Sequence, residues 1–144
     1  MACRFCSINE ERQQIIWRST HVYALLSNPE MQVNLHLLVI PYRHVMHLSD
    51  LTVEEFQDFF IAIVEFQRKI RESEFGLGCD FRQHDRPFLP ESEEKVDHVH
   101  GHLILRSYND RLYQEVQRFE RFTMVPSEEM RLKEQRIRDL FMLP

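Results

Sequence analysis

Apolar residues in this chain fall into short runs and one long periodic stripe, and the spacing changes along its length. Ile15-Ile16-Trp17 and Val22-Tyr23-Ala24-Leu25-Leu26 are apolar and partly β-branched, with polar Arg18-Ser19-Thr20 between them. That pattern predicts a β-hairpin. Asn28-Pro29 breaks the second strand. Leu35 to Ile40 is a continuous apolar run interrupted only by His36, as in a buried central strand, and Pro41 ends it. Ser49-Asp50 then precede a helix from about Thr52 to Glu74, where Thr52 with Glu55 forms a capping-box pattern. Phe56, Phe59, Phe60, Ile63, Val64, Phe66 and Ile70 give that helix an apolar stripe at helical spacing, read as core. Phe75-Gly76-Leu77-Gly78 reads as a turn, Cys79 to Gln83 as a strand, and Asp85 to Lys95 as a polar loop. Val96 to Leu105 is expected to be a strand. Pro126-Ser127-Glu128-Glu129 opens a last helix, with Met130, Leu132, Ile137, Leu140 and Phe141 roughly along one side. Its expected role is to cap the core or to make a dimer contact.

The 144 residues suit one compact domain, and 43% hydrophobic with 28% charged residues is the make-up of a globular protein with a real core. A net charge of -5 argues against bulk affinity for nucleic acid or anionic membranes. No apolar run reaches the length of a bilayer span. Met1-Ala2-Cys3-Arg4 lacks the apolar core of a secretion signal. A cytoplasmic protein is expected, and three cysteines fit a reducing compartment.

The chemistry is concentrated in Asp97-His98-Val99-His100-Gly101-His102-Leu103. Strand side chains alternate faces, so an extended chain would point His98, His100 and His102 one way and Val99, Gly101 and Leu103 the other. Three titratable rings on one face suit a metal, an anion or a reacting phosphate. A neutral imidazole held by a hydrogen-bond partner can attack phosphorus and form a covalent phospho-imidazole. Three zinc ligands with an open fourth position are the competing arrangement, and spacing alone does not separate the two.

Cys3-Arg4-Phe5-Cys6 is a second signal. A CxxC pair can grip zinc from a tight turn but needs two more ligands, for which His44 and His98 are candidates. Cys79 reads as a buried apolar residue. Arg82 and Arg86 could bind phosphate through their guanidinium forks, and Gln83 or His84 could supply further polar contacts.

Taken in order, these residues resemble the histidine triad (HIT) proteins, and most closely their CxxC-bearing Hint-like and bacterial members. Cys3-Arg4-Phe5-Cys6-Ser7-Ile8 is similar to an opening CxFCxI, and Val22 to Leu26 to a VxAFL strand. His36-Leu37-Leu38-Val39-Ile40-Pro41 resembles GHxLVIP with Leu35 in place of the glycine, and Arg43-His44 the KxH that follows. His98 to Ile104 matches the triad, except that Gly101 stands where a bulky apolar residue is usual.

The resemblance implies an α+β fold: a mostly antiparallel five-stranded sheet with one long helix and a C-terminal helix, usually as a homodimer. One domain over residues 1-144 is expected, with a core of about 3-106 and a C-terminal extension of about 107-144. His100 would be the nucleophile on the α-phosphate, with His102 and His36 supporting the phosphate. Asn28 would hold the ribose. Glu94 and Lys95 occupy positions where relatives carry Gln and Ser or Thr facing the phosphates. Cys3, Cys6, His44 and His98 would hold a structural zinc, with no organic cofactor. The implied activity is hydrolysis or nucleotidyl transfer at the α-phosphate of dinucleoside polyphosphates or nucleoside phosphoramidates. Alternatives are a nucleotide-binding module of the same fold that turns over weakly, and a zinc hydrolase built on His98, His100 and His102.

Overall fold

A computed structural model describes residues 3–9, 14–27, 35–74, 78–92, 95–116 and 123–142. The chain divides into two compact units, Met1–Gln114 and Glu115–Pro144. The first holds a five-stranded antiparallel sheet of β1 (Ile15–Arg18), β2 (Val22–Leu26), β3 (His36–Pro41), β4 (Cys79–Gln83) and β5 (Gly101–Leu105), in the order β1-β2-β3-β5-β4. Helix α1 (Val53–Glu72) lies between β3 and β4 in sequence, and the short α2 (Arg111–Val116), which the hydrophobic pattern did not signal, follows β5. In the second unit α3 (Ser127–Phe141) is laced along its length by ion pairs such as Lys133–Glu129 and Arg138–Glu134. No helix among the described residues is long and apolar enough to cross a membrane.

The sheet has two differently dressed faces, because successive strand residues point to opposite sides. Leu37, Val39, Leu103, Val22 and Ala24 pack with Phe59, Ala62 and Ile63 of α1. Leu38, Ile40, Tyr23 and Leu25 face the other way and pack with Phe5 and Val96. β3 is central and buried over its whole length, as its unbroken apolar run implied. On α1 the buried positions are Glu55, Phe59, Ala62, Ile63 and Ile70. Phe56 and Val64, expected in the core, are instead 47% and 58% exposed. The apolar arc is wider than the contact that one sheet face offers, so its flank stays outside.

Thr52 caps α1 as its sequence pattern indicated: its side chain accepts from the Glu55 N–H, and the Glu55 carboxylate accepts from the Thr52 N–H at 2.8 Å. That carboxylate also receives two bonds from Arg43, at 2.8 and 2.6 Å. The pairing holds Glu55 down to a pKa of about 2, despite burial. It ties the segment after β3 to the first turn of the helix.

The histidine strand is shorter than the expected Val96 to Leu105. Pairing starts only at Gly101, opposite Val39 on β3 and Gln83 on β4. Carrying that register two residues further would place Val99 opposite Pro41, which has no N–H to offer the ladder. The Val99 N–H donates instead to the Val45 carbonyl at 2.7 Å. His98 and His100 therefore sit just before the strand.

Gly101 is explained by the rings of Phe81 on β4 and Phe59 on α1. An added Cβ would lie 2.7 Å from Phe81 Cε2 and 3.1 Å from Phe59 Cζ. The two rings fill the space that a bulky side chain would take. Gly101→Val should cost about 1–3 kcal/mol of stability by overpacking. Phe81→Leu in the same chain should recover part of that loss, measured by denaturant unfolding of both single variants and the double. Strictly additive costs would show that the Phe81 ring is not the obstacle.

Candidate active site

A cavity of about 760 Å³ opens on the sheet face away from α1, lined by His36, His100 and His102 with residues of the Cys3–Cys6 turn and of the loop after β4. β3 and β5 place two of the rings. Leu38 is paired with His102 across the ladder, and His36 lies two positions along the same face. The rings of His36 and His102 are stacked with centroids 5.1 Å apart, and His36 Nε2 meets His102 Nδ1 at 2.9 Å. His100 packs edge-on to His102 at 4.8 Å. Its Nδ1 lies 2.6 Å from the His98 carbonyl oxygen. A carbonyl only accepts, so Nδ1 carries the proton and Nε2 keeps its lone pair.

His98 is turned to a different task. Its Nε2 donates to the Pro41 carbonyl at 2.9 Å, which leaves Nδ1 as the bare nitrogen. Nδ1 lies 3.4 Å from Cys3 Sγ and 3.6 Å from Cys6 Sγ, while His44 Nδ1 lies 3.4 Å from Cys6 Sγ. The donor atoms of Cys3, Cys6, His44 and His98 are all within 4.8 Å of one another, and the group could hold a metal ion. With both nitrogens of His98 committed here, the three histidines of the run do not converge on one ligand. The break in pairing at Pro41 leaves His98 beside Cys3, Cys6 and His44, an arrangement that disfavours the alternative of a zinc hydrolase built on His98, His100 and His102.

Burial disfavours the charged form of His36, His98, His100 and His102. Burial lowers the proton affinity of His36 to about 4, with His100 adding to the effect. Burial, followed by His100, His36 and His84, lowers that of His102 to about 3. His100 is likewise lowered, first by burial, and the Arg4 charge is felt there.

Other candidates are placed less simply. Lys95 borders the cavity, but its ammonium is held by the Asp97 carboxylate. Arg82 is bonded to Asp80 at 3.1 Å, whereas Arg86 lines the cavity. His84 stands with its ring centroid 5.3 Å from that of His102. Cys79 is half-buried, packed against the core, and its thiol is pushed up by burial. Asn28 and Glu94 lie outside the described residues. Two site residues went unnoticed in the sequence: Phe5, whose ring meets His100 edge-on at 5.1 Å, and Arg4, which lines the cavity. Their position between two cysteines was the available signal.

The neutral rings set a pH dependence. In the unfolded chain His36 and His102 would take up protons near pH 6.5; in the fold they do so only near 4 and 3. Between these values the unfolded state binds more protons, so stability is full above about pH 6.5 and falls as pH drops toward 4, by about 1.4 kcal/mol per pH unit for each ring at most. Glu55 acts lower, since its contribution is lost only below the ordinary carboxylate range. The melting temperature should therefore fall between pH 6.5 and 4.5, and His36→Gln should flatten that slope. An unchanged slope would mean that the ring is not neutral in the fold.

A family model described as the HIT domain matches residues 9–109, a span that takes in all five strands and the three histidines. A bis(5'-adenosyl)-triphosphatase of Dictyostelium discoideum is 32% identical over 112 residues, 74% of this chain and 73% of that protein. One from Saccharomyces cerevisiae is 34% identical over 95 residues, 65% of this chain and 44% of that protein. The chain thus spans less than half the length of the yeast relative. Among solved structures, a HIT family protein from Bacillus anthracis superposes with a TM-score of 0.67 at 21% identity, over 98% of this chain and 95% of that one. A zinc-bound histidine triad family protein from Mycobacterium smegmatis does so with a TM-score of 0.59 at 23% identity, over 90% and 87%. With the family match extending over well more than half of its length, this chain belongs to the HIT family.

Proposed function

We propose that this chain is a nucleotide hydrolase that attacks the α-phosphate of a dinucleoside polyphosphate or a nucleoside phosphoramidate and releases a nucleoside monophosphate. The observation that carries the reading is the tautomer of His100: Nδ1–H held by the His98 carbonyl, Nε2 left with its lone pair beside the cavity. Nε2 forms a bond to phosphorus as the bond to the leaving oxygen or nitrogen breaks, and the leaving group departs with the electron pair. Water then attacks the nucleotidyl-histidine, the phosphorus–nitrogen bond breaks, and His100 is regenerated. His36 and His102 are joined by a hydrogen bond that uses one of their two N–H groups, so the neutral pair keeps at most one fixed donor for a phosphate oxygen. Asn28 is assigned to the ribose, and Glu94 and Lys95 to the approach to the phosphates, on the resemblance alone. The names of the Dictyostelium and yeast relatives support a dinucleoside polyphosphate as substrate.

The four-residue group fits zinc. Tetrahedral zinc, about 2.3 Å from sulfur and about 2.0–2.1 Å from nitrogen, needs donor separations of roughly 3.3–3.8 Å. The three sulfur–nitrogen separations of 3.4, 3.4 and 3.6 Å fall in that range, and the other donor pairs lie within 4.8 Å, so a bound ion would draw the group slightly inward. Nε2–H of His98 on the Pro41 carbonyl is the kind of outer contact that orients a metal-bound imidazole. Four protein donors close the shell, so the ion would brace the fold and take no part in the reaction. Free thiols at Cys3, Cys6 and Cys79 suit a reducing compartment such as the cytoplasm. A homodimer is supported by β4, an open sheet edge, beside exposed Phe56 and Val64 of α1. The edge and the apolar flank adjoin through Phe60 and Phe81, and a second copy would cover both.

The purified protein should release AMP from diadenosine triphosphate or adenosine 5′-phosphoramidate, and His100→Ala should lose about 10³-fold or more of that rate. Nucleotide binding without product from the unmodified protein would instead favour the weak binding module. Zinc should be present at one per chain by elemental analysis. A strong chelator should lower the melting temperature, because metal binding energy is folding energy here. Cys6→Ser should lose both the metal and the chelator effect. A chelator that abolished activity while the melting temperature stayed unchanged would point to a catalytic ion.

A further inference from the structure

We propose that Arg4 and Arg86 form a clamp for the phosphates beyond the one attacked, and that this clamp makes the site selective for substrates with an extended phosphate chain. The proposal rests on the reading that the cavity takes nucleotides attacked by His100.

The argument begins with charge. A dinucleoside polyphosphate brings several negative charges into the cavity, whereas burial disfavours the charged form of His36, His100 and His102, which supply hydrogen bonds without charge. Countercharge has to come from elsewhere. Lys95 and Asp97 neutralise each other, and Asp85 is bonded to His47 Nδ1 at 3.2 Å. Arg82 is occupied by Asp80. Arg4 and Arg86 remain: both line the cavity, and neither meets a carboxylate among the described residues. The hydrogen bond of the Arg4 guanidinium is a long one, 3.3 Å from Nη2 to the Ser92 carbonyl, so most of its five-donor fork is left for an anion.

Arg4 is also built into place. Cys6 and Ser7 donate their N–H groups to the Cys3 carbonyl at 3.0 and 3.2 Å, which closes the turn around it. The next residue, Phe5, is buried, packs against His100, and accepts the Tyr23 hydroxyl on its carbonyl at 2.8 Å. The turn thus delivers a guanidinium to the nucleophile's side of the cavity. Arg86 stands on the loop after β4, where its charge is felt at His84, the ring neighbouring His102. A phosphate accepted by a planar guanidinium is held through two parallel bonds, which a lysine would not reproduce.

The test compares diadenosine triphosphate with adenosine 5′-phosphoramidate, which has no phosphate beyond the one attacked, in the full chain and in Arg4→Ala, Arg4→Lys, Arg86→Ala and Arg86→Lys. Each alanine variant should lose about tenfold in kcat/KM on the triphosphate, mostly through KM, and stay within about twofold on the phosphoramidate. The lysine variants should recover only part of the loss. Inorganic tripolyphosphate binding, followed by calorimetry without turnover, should weaken about tenfold in each alanine variant and show a steeper salt dependence in the unmodified protein. Equal losses on both substrates, or tripolyphosphate bound equally by all forms, would overturn the clamp. If the unmodified protein hydrolyses neither substrate, the hydrolase reading fails, and tripolyphosphate binding still decides the clamp. Unchanged melting temperatures and zinc content confirm that the variants fold.

Discussion

The hydrogen bond from His98 Nε2 to the Pro41 carbonyl is the contact on which the rest of the site depends. It exists because proline cannot donate to the ladder, so β3 and the histidine run part company at that point. The carbonyl that proline does supply then selects one tautomer of His98. That tautomer aims the free nitrogen at Cys3 and Cys6. The same displacement leaves the His98 carbonyl outside the ladder, where it takes the proton-bearing nitrogen of His100. One residue without an N–H therefore sets the protonation pattern of two imidazoles.

Neutral rings are what this environment favours. A charged imidazole in a half-buried cavity loses hydration and meets its neighbours as like charges, so the fold holds the group uncharged. Pairing a neutral nucleophile with neutral donors leaves fixed charge to come from side chains at the margin. Several charged side chains of the first unit are paired for structural purposes. Arg43 with Glu55 anchors α1 to the end of β3, and Arg106 bridges Asp80 and Asp110 at 2.7 and 3.0 Å. Among the described residues, Arg4 and Arg86 are the arginines that line the cavity, and neither meets a carboxylate.

The two faces of the sheet divide the labour. One is filled by α1 and by the Phe81 ring of β4, which with Phe59 crowds any Cβ at position 101. The other carries His36 and His102 at alternate strand positions, and the Cys3–Cys6 turn folds over it through Phe5. A rigid, apolar backing supports polar groups that must hold their positions, while the residues that vary the chemistry come from a turn and a loop.

Elements that depend on near neighbours were legible in the sequence. The capping box at Thr52, the hairpin, the buried run of β3 and the stripe of α1 follow from local spacing, because backbone geometry imposes periods of two and 3.6 residues. The four metal-binding candidates were named from ligand chemistry, and the HIT resemblance from the order of motifs. What only the tertiary structure decided are relations between distant segments. Whether His98 joins His100 or Cys3 turns on a ladder that fails opposite Pro41, 57 positions away. Phe56 and Val64 look like core until the sheet shows how narrow the contact with α1 is. That Lys95 borders the cavity with Asp97 against it shows only in the fold, and Arg4 is anonymous until its turn is folded over the cavity. Spacing along the chain limits which side chains share a face, but the partner of each charge and the tautomer of each ring are set by atoms that only folding brings near.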